Sequence, residues 1–542
     1  MIRRLFGTSL AVIGLLLPAP LRADDAAAAL LAKHRSFVGW QYDDGTFKSW
    51  RLKTSLTLKA PPPGPNGEEQ APAVFSTTEV RRGAFYRKTT AREGSELIRD
   101  DGFTGRVYWD SDYNGNVVTH FAEDTVQRQV SYNALFDDAV STLAGTARGS
   151  AQIGDTRVQI VRVTPNQGFA VDLYVDADGA YRRAIINPEG RDDSETIEID
   201  KYTEALPGKK IIGSYHFGSN PPYEVTSVEP NIVVADDDLR PPRPRTNWTF
   251  DPAMQSVPIE IRHYTAPIGD AYARAVVVRA SFNGHEGLFL LDSGAGLTLL
   301  FNPFAETLGL ASLGRTAYSG VNGGAVSATL VRIDELSLGK NVLHNVIAQR
   351  SSGRSITSLG IDGIIGYDVL ARAIVDVDLV GLNLTVLDPA RFTPNLEKGA
   401  YAFPVDLTTR QPAVHITVGN GVDAHPVFDT GASFEVLLSD QLQKSGKVVA
   451  LVSTITFGNG MQIEQRTFTG GVDGSAAESE PCSRISRMDI GPYRFENAPI
   501  CFGNGRVFGA NGGLIGFDFL RHFNWTFDYP ENKLVLTPNG VK

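Results

Sequence analysis

Two tetrapeptides have residue types that could do chemistry: Asp292-Ser293-Gly294-Ala295, after the apolar run Leu288 to Leu291, and Asp429-Thr430-Gly431-Ala432, after Val427-Phe428. Each sets a carboxyl at the end of a strand-like segment. The glycine that follows has no Cβ, so the chain can turn tightly and approach other backbone closely. If the two loops met, their carboxyls would be like charges at short range. The second ionisation would be suppressed, and the pair would hold one proton over a wide pH interval. Such a pair offers a base for a water molecule and an acid for a carbonyl oxygen in the same step, which attack on a poor electrophile such as an amide requires. Asp292 and Asp429 are therefore the expected catalytic residues, with a water between them.

Competing chemistries find no support. None of the nine histidines lies in a His-Glu-x-x-His zinc motif, and His285-Glu286, His415, His425 and His522 read as surface or packing residues. No Gly-x-Ser-x-Gly elbow and no Gly-Lys-Ser/Thr phosphate loop occurs, and Ser293 has no evident histidine partner. Asp110, Asp112, Asn114 and Gly115 match the start of a calcium loop, but Phe121 stands where a bidentate Glu is needed, so the run reads as a hairpin turn. Neither a cofactor nor a metal is expected.

The elements that must position the two aspartates are duplicated. Val276 to Val278, Asn283-Gly284 and the Asp292 motif are repeated as Val414 to Val418, Asn420-Gly421 and the Asp429 motif. Gly320-Val321-Asn322-Gly323 answers to Gly471-Val472-Asp473-Gly474, and Asp362 to Leu370 answers to Gly512 to Leu520. Closing strands bear Asp376 and Asp378 in one copy and Asp528 in the other, all three read as structural. The second copy is longer after its Asp motif, an excess placed at Lys447 to Phe468 as an added hairpin around Gly458-Asn459-Gly460.

Asp-Ser/Thr-Gly-Ala after an apolar strand, a glycine-rich turn downstream and then an apolar-apolar-Gly triplet, all present twice in order, resemble the pepsin and retropepsin aspartic proteases in a single-chain form. The resemblance covers about residues 255 to 540. It implies a mainly β, two-lobed fold with pseudo-twofold lobes, an endopeptidase activity and a polypeptide substrate. It also implies that Ser293 and Thr430 hydrogen-bond across the loop junction, and that Gly294, Ala295, Gly431 and Ala432 shape the active loops. Ile364-Ile365-Gly366 and Leu514-Ile515-Gly516 would pack behind those loops. Tyr318, Gly320, Asn322 and Gly323 fall where a substrate-covering flap would lie, with the added hairpin or Gly470 to Gly474 as its counterpart. The competing reading is an exported, non-catalytic peptide or lipophilic-ligand binding protein on the same scaffold.

The remaining sequence sets the context. With 542 residues, 51 Lys plus Arg against 61 Asp plus Glu and a net charge of −10, the chain has room for several domains and no basic run suited to nucleic acid. Arg3 and Arg4 before the apolar run Leu10 to Leu17, then Leu21-Arg22-Ala23, read as a cleaved secretory signal over residues 1–23. The expected location is therefore periplasmic or extracellular, with no membrane-spanning segment in the mature chain. Residues 24–239 read as a separate antiparallel β domain with one helix near Asp24 to His34. The stretch Gly102 to Trp109 and the strand spacing there resemble the lipoprotein-carrier-like domains of exported bacterial proteins. The prolines of Arg240 to Pro244 open a linker, 240–254, before lobes at 255–392 and 393–542. A monomer is favoured, since one chain carries both motifs. Cys482 and Cys501 lie equally far from the Gly491-Pro492 turn and would face each other across a hairpin as a disulfide, with two separate buried thiols as the alternative.

Overall fold

The computed structural model describes residues 24–59, 72–190, 194–265, 272–319, 325–351, 360–394, 396, 399–446, 448–452, 454–456, 462–464, 466–469, 478–503 and 512–540. With 53% strand and 14% helix it is mainly β. It divides into two units, one running to Glu93 with Gly102–Tyr108 and His120–Arg240, the other made of Gly94–Asp101, Trp109–Thr119 and Pro241–Lys542. No helix among the described residues is long and apolar enough to cross a membrane.

In the first unit, strands Phe85–Arg92, Ala73–Arg82, Ser49–Leu58, Tyr223–Pro230, Lys209–Phe217, Glu195–Leu206, Tyr181–Ile186, Val171–Val175, Thr156–Val163 and Gly145–Ile153 lie side by side in that order. The hairpin expected at Asp178-Gly179 forms, with Gly179 at φ 97° supplying a backbone geometry that side chains disfavour. Helix Asp25–Val38 begins where the Asp24 carboxylate accepts the Ala27 N–H at 2.6 Å and ends at left-handed Gly39. Its Ala27 and Leu31 enter a core with Leu173, Val175 and Ile197. A second helix, Glu123–Phe136, was not expected; it starts at Ala122 with no side-chain cap and is polar along much of its length.

The second unit pairs its two sequence copies alike. Phe289 to Leu291 runs parallel beside Gly363 to Ile365, and Val427-Phe428 runs parallel beside Leu514-Ile515. The closing strands Ile374–Asp378 and Phe523–Asp528 then pair antiparallel with each other, Asp376 opposite Thr526. Asp376 accepts the Thr526 hydroxyl at 2.6 Å and Asp378 accepts the Asn524 amide at 3.0 Å, so these carboxylates tie strand to strand. One core runs through both copies, with Phe289, Val375, Phe428, Trp525 and Phe527 all fully buried. In the longer copy, Thr454–Thr456 pairs antiparallel with Gln462–Glu464, while the turn between them lies outside the described residues.

Glu478–Ile490 and Tyr493–Gly503 form the hairpin expected around Gly491-Pro492, with Cys482 opposite Cys501 in a disulfide. The bond closes a loop of sequence separation 19. Converting both cysteines to serine is expected to cost about 3 kcal/mol, chiefly by freeing the unfolded chain, which a denaturant midpoint on oxidised and double-Ser protein measures.

Candidate active site

Each aspartate is suspended from the triplet that lies beside its strand. Asp292 N–H donates to the Ile365 carbonyl at 3.0 Å, and Asp429 N–H donates to the Ile515 carbonyl at 2.9 Å. The next residues along, Tyr367 and Phe517, donate their N–H groups to the carbonyls of Ala295 and Ala432 at 2.8 and 2.6 Å. Glycine is required between these contacts. A Cβ on Gly366 would meet the Ala295 oxygen at 2.6 Å, and one on Gly516 would meet the Phe434 oxygen at 2.3 Å.

Ser293 and Thr430, both buried, join the two loops reciprocally. Ser293 N–H donates to the Thr430 hydroxyl oxygen at 3.0 Å, and Thr430 N–H donates to the Ser293 hydroxyl oxygen at 3.0 Å. Each hydroxyl then donates onward into the other copy, Ser293 to the Phe428 carbonyl at 2.6 Å and Thr430 to the Leu291 carbonyl at 2.8 Å. Both N–H groups and both hydroxyls of the junction are thereby used, which fixes the loops against sliding.

This lock brings the two carboxyls together. They hydrogen-bond each other, and Gly294 backs onto Asp429 as Gly431 backs onto Asp292. Gly294 N–H donates to Asp292 Oδ1 at 2.8 Å, while Asp429 Oδ1 accepts from Gly431 at 2.9 Å and Ala432 at 3.1 Å. Desolvation raises both carboxyls above the ordinary range, and the neighbouring charge of Asp429 raises Asp292 further. The bond from Asp292 and the N–H groups of Gly431 and Ala432 favour the ionised form of Asp429. The N–H groups of Gly294 and Ala295 do the same for Asp292, while burial and the mutual charge oppose ionising both members of the pair at once. Behind them lies Tyr529, fully buried, stacked on Tyr367 at 6.0 Å and held neutral by burial.

Of the flap candidates, Tyr318 lies in strand Ser312–Ser319 with its hydroxyl on Ser351 Oγ at 3.2 Å. Gly320, Asn322 and Gly323 lie outside the described residues. In the Asp110 to Gly115 run, Asp110 lies in strand Tyr108–Ser111 and Asp112 to Gly115 forms the turn after it, with Gly115 N–H on the Asp112 carbonyl at 3.1 Å and Asn116 N–H on its carboxylate at 2.9 Å.

Sequence reading missed Asp368, although an aspartate recurs at the matching place, Asp518, in the second copy. Fully buried, Asp368 accepts the N–H and hydroxyl of Thr298 at 2.9 and 2.7 Å directly behind the Asp292 loop. Burial pushes it up to about 7 from an ordinary 3.8, and nearby Asp112 adds to the rise. A carboxyl raised by folding contributes stability in its protonated form. That contribution is complete below about pH 4 and is lost as pH rises through about 7. At about 1.4 kcal/mol per unit the change is of order 4 kcal/mol. Asp368→Asn is expected to remove this slope, so urea midpoints at pH 4 and pH 8 should differ less in the variant than in the parent.

The comparisons with known proteins fall on this same region. Residues 278–369 match a family model described as Aspartyl protease. The match takes in the Asp292 loop and the triplet ending at Gly366, and it ends before Asp429. No curated protein matches the chain. Among solved structures, a putative outer membrane lipoprotein-sorting protein domain from Vibrio parahaemolyticus is similar at 8% identity and TM-score 0.27, covering 39% of this chain and 95% of its own. A DUF1329 family protein from Desulfovibrio piger is similar at 10% identity and TM-score 0.28, covering 40% of this chain and 98% of its own.

Proposed function

We propose that the chain is an exported aspartic-type endopeptidase, built as two lobes, about 255–392 and 393–542, that face each other across Asp292 and Asp429. The observation that carries this reading is the reciprocal Ser293–Thr430 lock, which sets the two carboxyls against each other, close enough to share one proton. Asp429, ionised, takes a proton from water as the oxygen adds to the peptide carbonyl carbon. Asp292 gives its proton to the carbonyl oxygen, leaving a neutral gem-diol. Protonated Asp429 then passes its proton to the amide nitrogen while Asp292 recovers one from a diol hydroxyl. The C–N bond breaks to acid and amine, and the starting protonation is restored. Removal of residues 1–23 and work as a monomer on unfolded polypeptide are parts of the same proposal.

The test is cleavage of an unfolded protein by purified chain, with and without a transition-state-analogue inhibitor of aspartic peptidases. A second reading, a non-catalytic peptide or lipophilic-ligand binder, is favoured by a family match that stops at residue 369, short of the second motif. Peptide retention without turnover by the wild-type chain would select it.

A further inference from the structure

The turn Leu407 to Pro412 touches both aspartyl loops. Its ends are tied by Asp406 and Ala413, which exchange backbone hydrogen bonds at 2.8 and 3.0 Å. The Pro412 carbonyl accepts the N–H of Phe428, the residue before Asp429, at 3.0 Å. From the same turn the Gln411 side-chain amide donates to the Gly294 carbonyl, in the loop of Asp292. Gly294 is also the residue whose N–H binds the Asp292 carboxyl and whose Cα backs onto Asp429. Whatever holds Gln411 therefore sets the position of both carboxyls.

What holds this turn comes from far away in sequence. Arg410, at φ 61°, lies in a backbone region that a residue with a Cβ seldom adopts, so something must fix it there. Its guanidinium donates to Asp110 and lies close to Asp112 and Tyr367. The ion pair is shielded, the side chains being 14% and 15% exposed. Asp110 belongs to the excursion Trp109–Thr119, which is part of the second unit although the sequence on either side belongs to the first. The excursion is itself anchored. Asn114 pairs like a strand residue with the Ile347 backbone, accepting its N–H at 2.6 Å and donating to its carbonyl at 3.0 Å. Gly115, at φ 78°, leaves room for the Arg245 nitrogen, which a Cβ would meet at 2.9 Å. The Asp-x-Asp-x-Asn-Gly run thus uses its polar side chains to dock within this unit.

We propose that Asp110 and Arg410 are positioning residues for the carboxyl pair, acting through Gln411 on Gly294. The inference rests on the peptidase reading for its kinetic consequence, but not for its structural one. It also makes residues 109–119 a working part of the peptidase, so the sequence from residue 24 to 240 is not a segment to be discarded on maturation.

The experiment uses the full chain with Asp110→Ala, Arg410→Ala, the double variant and the conservative Asp110→Asn. Misplacing a reacting group by a fraction of an ångström is expected to lower kcat by about tenfold or more in each alanine variant, with KM changed by less than about threefold. Because the two residues act as one device, the double variant should lose no more than the worse single variant, and Asp110→Asn, which keeps an acceptor, should lose less than Asp110→Ala. Independently of turnover, amide exchange in a peptide spanning residues 290–297 should quicken by about fivefold or more in the alanine variants, with residues 374–378 unchanged. Additive kinetic losses, or exchange at 290–297 equal to wild type, would overturn the proposal. A wild-type chain that cleaves nothing but still shows the exchange effect would sink the peptidase reading alone. If Asp110→Ala fails to fold, exchange in Asp110→Asn and Gln411→Ala decides.

Discussion

If the chain is an aspartic peptidase, Asp292→Asn is expected to lower cleavage of an unfolded protein substrate by about 10³-fold or more while leaving the fold intact. Asn cannot carry the proton that the proposed mechanism has Asp292 deliver to the substrate oxygen, and loss of a general acid or base costs about 10² to 10⁴-fold by itself. Here the loss is larger because Asp429, deprived of its acidic partner, must do both jobs. The same variant should be more stable than the parent at neutral pH. Folding raises both carboxyls, so ionising the pair opposes folding, and this opposition grows as pH climbs through their raised values. Asn removes one ionisable member, so the denaturant midpoint should rise, most at alkaline pH and least below about pH 4. An Asn variant that cleaves at the parental rate would remove the dyad. One that is inactive and also destabilised at pH 8 would point to unfolding instead.

Gly294→Ala should be nearly as damaging by a different route. The new Cβ would lie 2.6 Å from Asp429 Cγ and 2.6 Å from its Oδ2, distances that carbon and oxygen do not tolerate. The carboxyl must retreat, and the shared hydrogen bond goes with it, for an expected loss in kcat of about 10²-fold. Gly431→Ala should behave the same way, since its Cβ would meet Asp292 Cγ at 2.6 Å. Gly296→Ala is the control. Two residues further on, its Cβ would find only the Arg410 Cβ at 3.9 Å, an ordinary contact, and kcat should stay within about twofold. Steady-state kinetics on the three variants checks the ordering. If Gly296→Ala and Gly294→Ala lost activity equally, close approach would not be the reason for these glycines.

Much of the site was legible because it is written twice. A lone Asp-Ser-Gly would have said little, but two copies with matching triplets pointed to a meeting of Asp292 with Asp429. The Cys482–Cys501 pairing was legible because a turn fixes register on both sides of itself. What duplication does not mark stayed hidden. The helix Glu123–Phe136 lacks a capping side chain and a strong apolar stripe. Asp368 recurs as Asp518, but its partner Thr298 is replaced by Glu435 at the matching place, so the repeat does not announce the pairing. Arg410 and Asp110 are 300 residues apart, and only the folded backbone brings them together.

The antiparallel seam between Ile374–Asp378 and Phe523–Asp528 has a consequence for ancestry and for engineering. Each repeat sets its next-to-last strand against that of the other, so a gene divided between them would yield two products with a bare, hydrogen-bond-hungry margin. Such a fragment satisfies itself most simply by meeting an identical one in the same crossed arrangement. A primordial single-repeat homodimer, later fused head to tail, would have left a join of this kind, and bringing back the two-piece form should require no more than cutting the connection between the repeats.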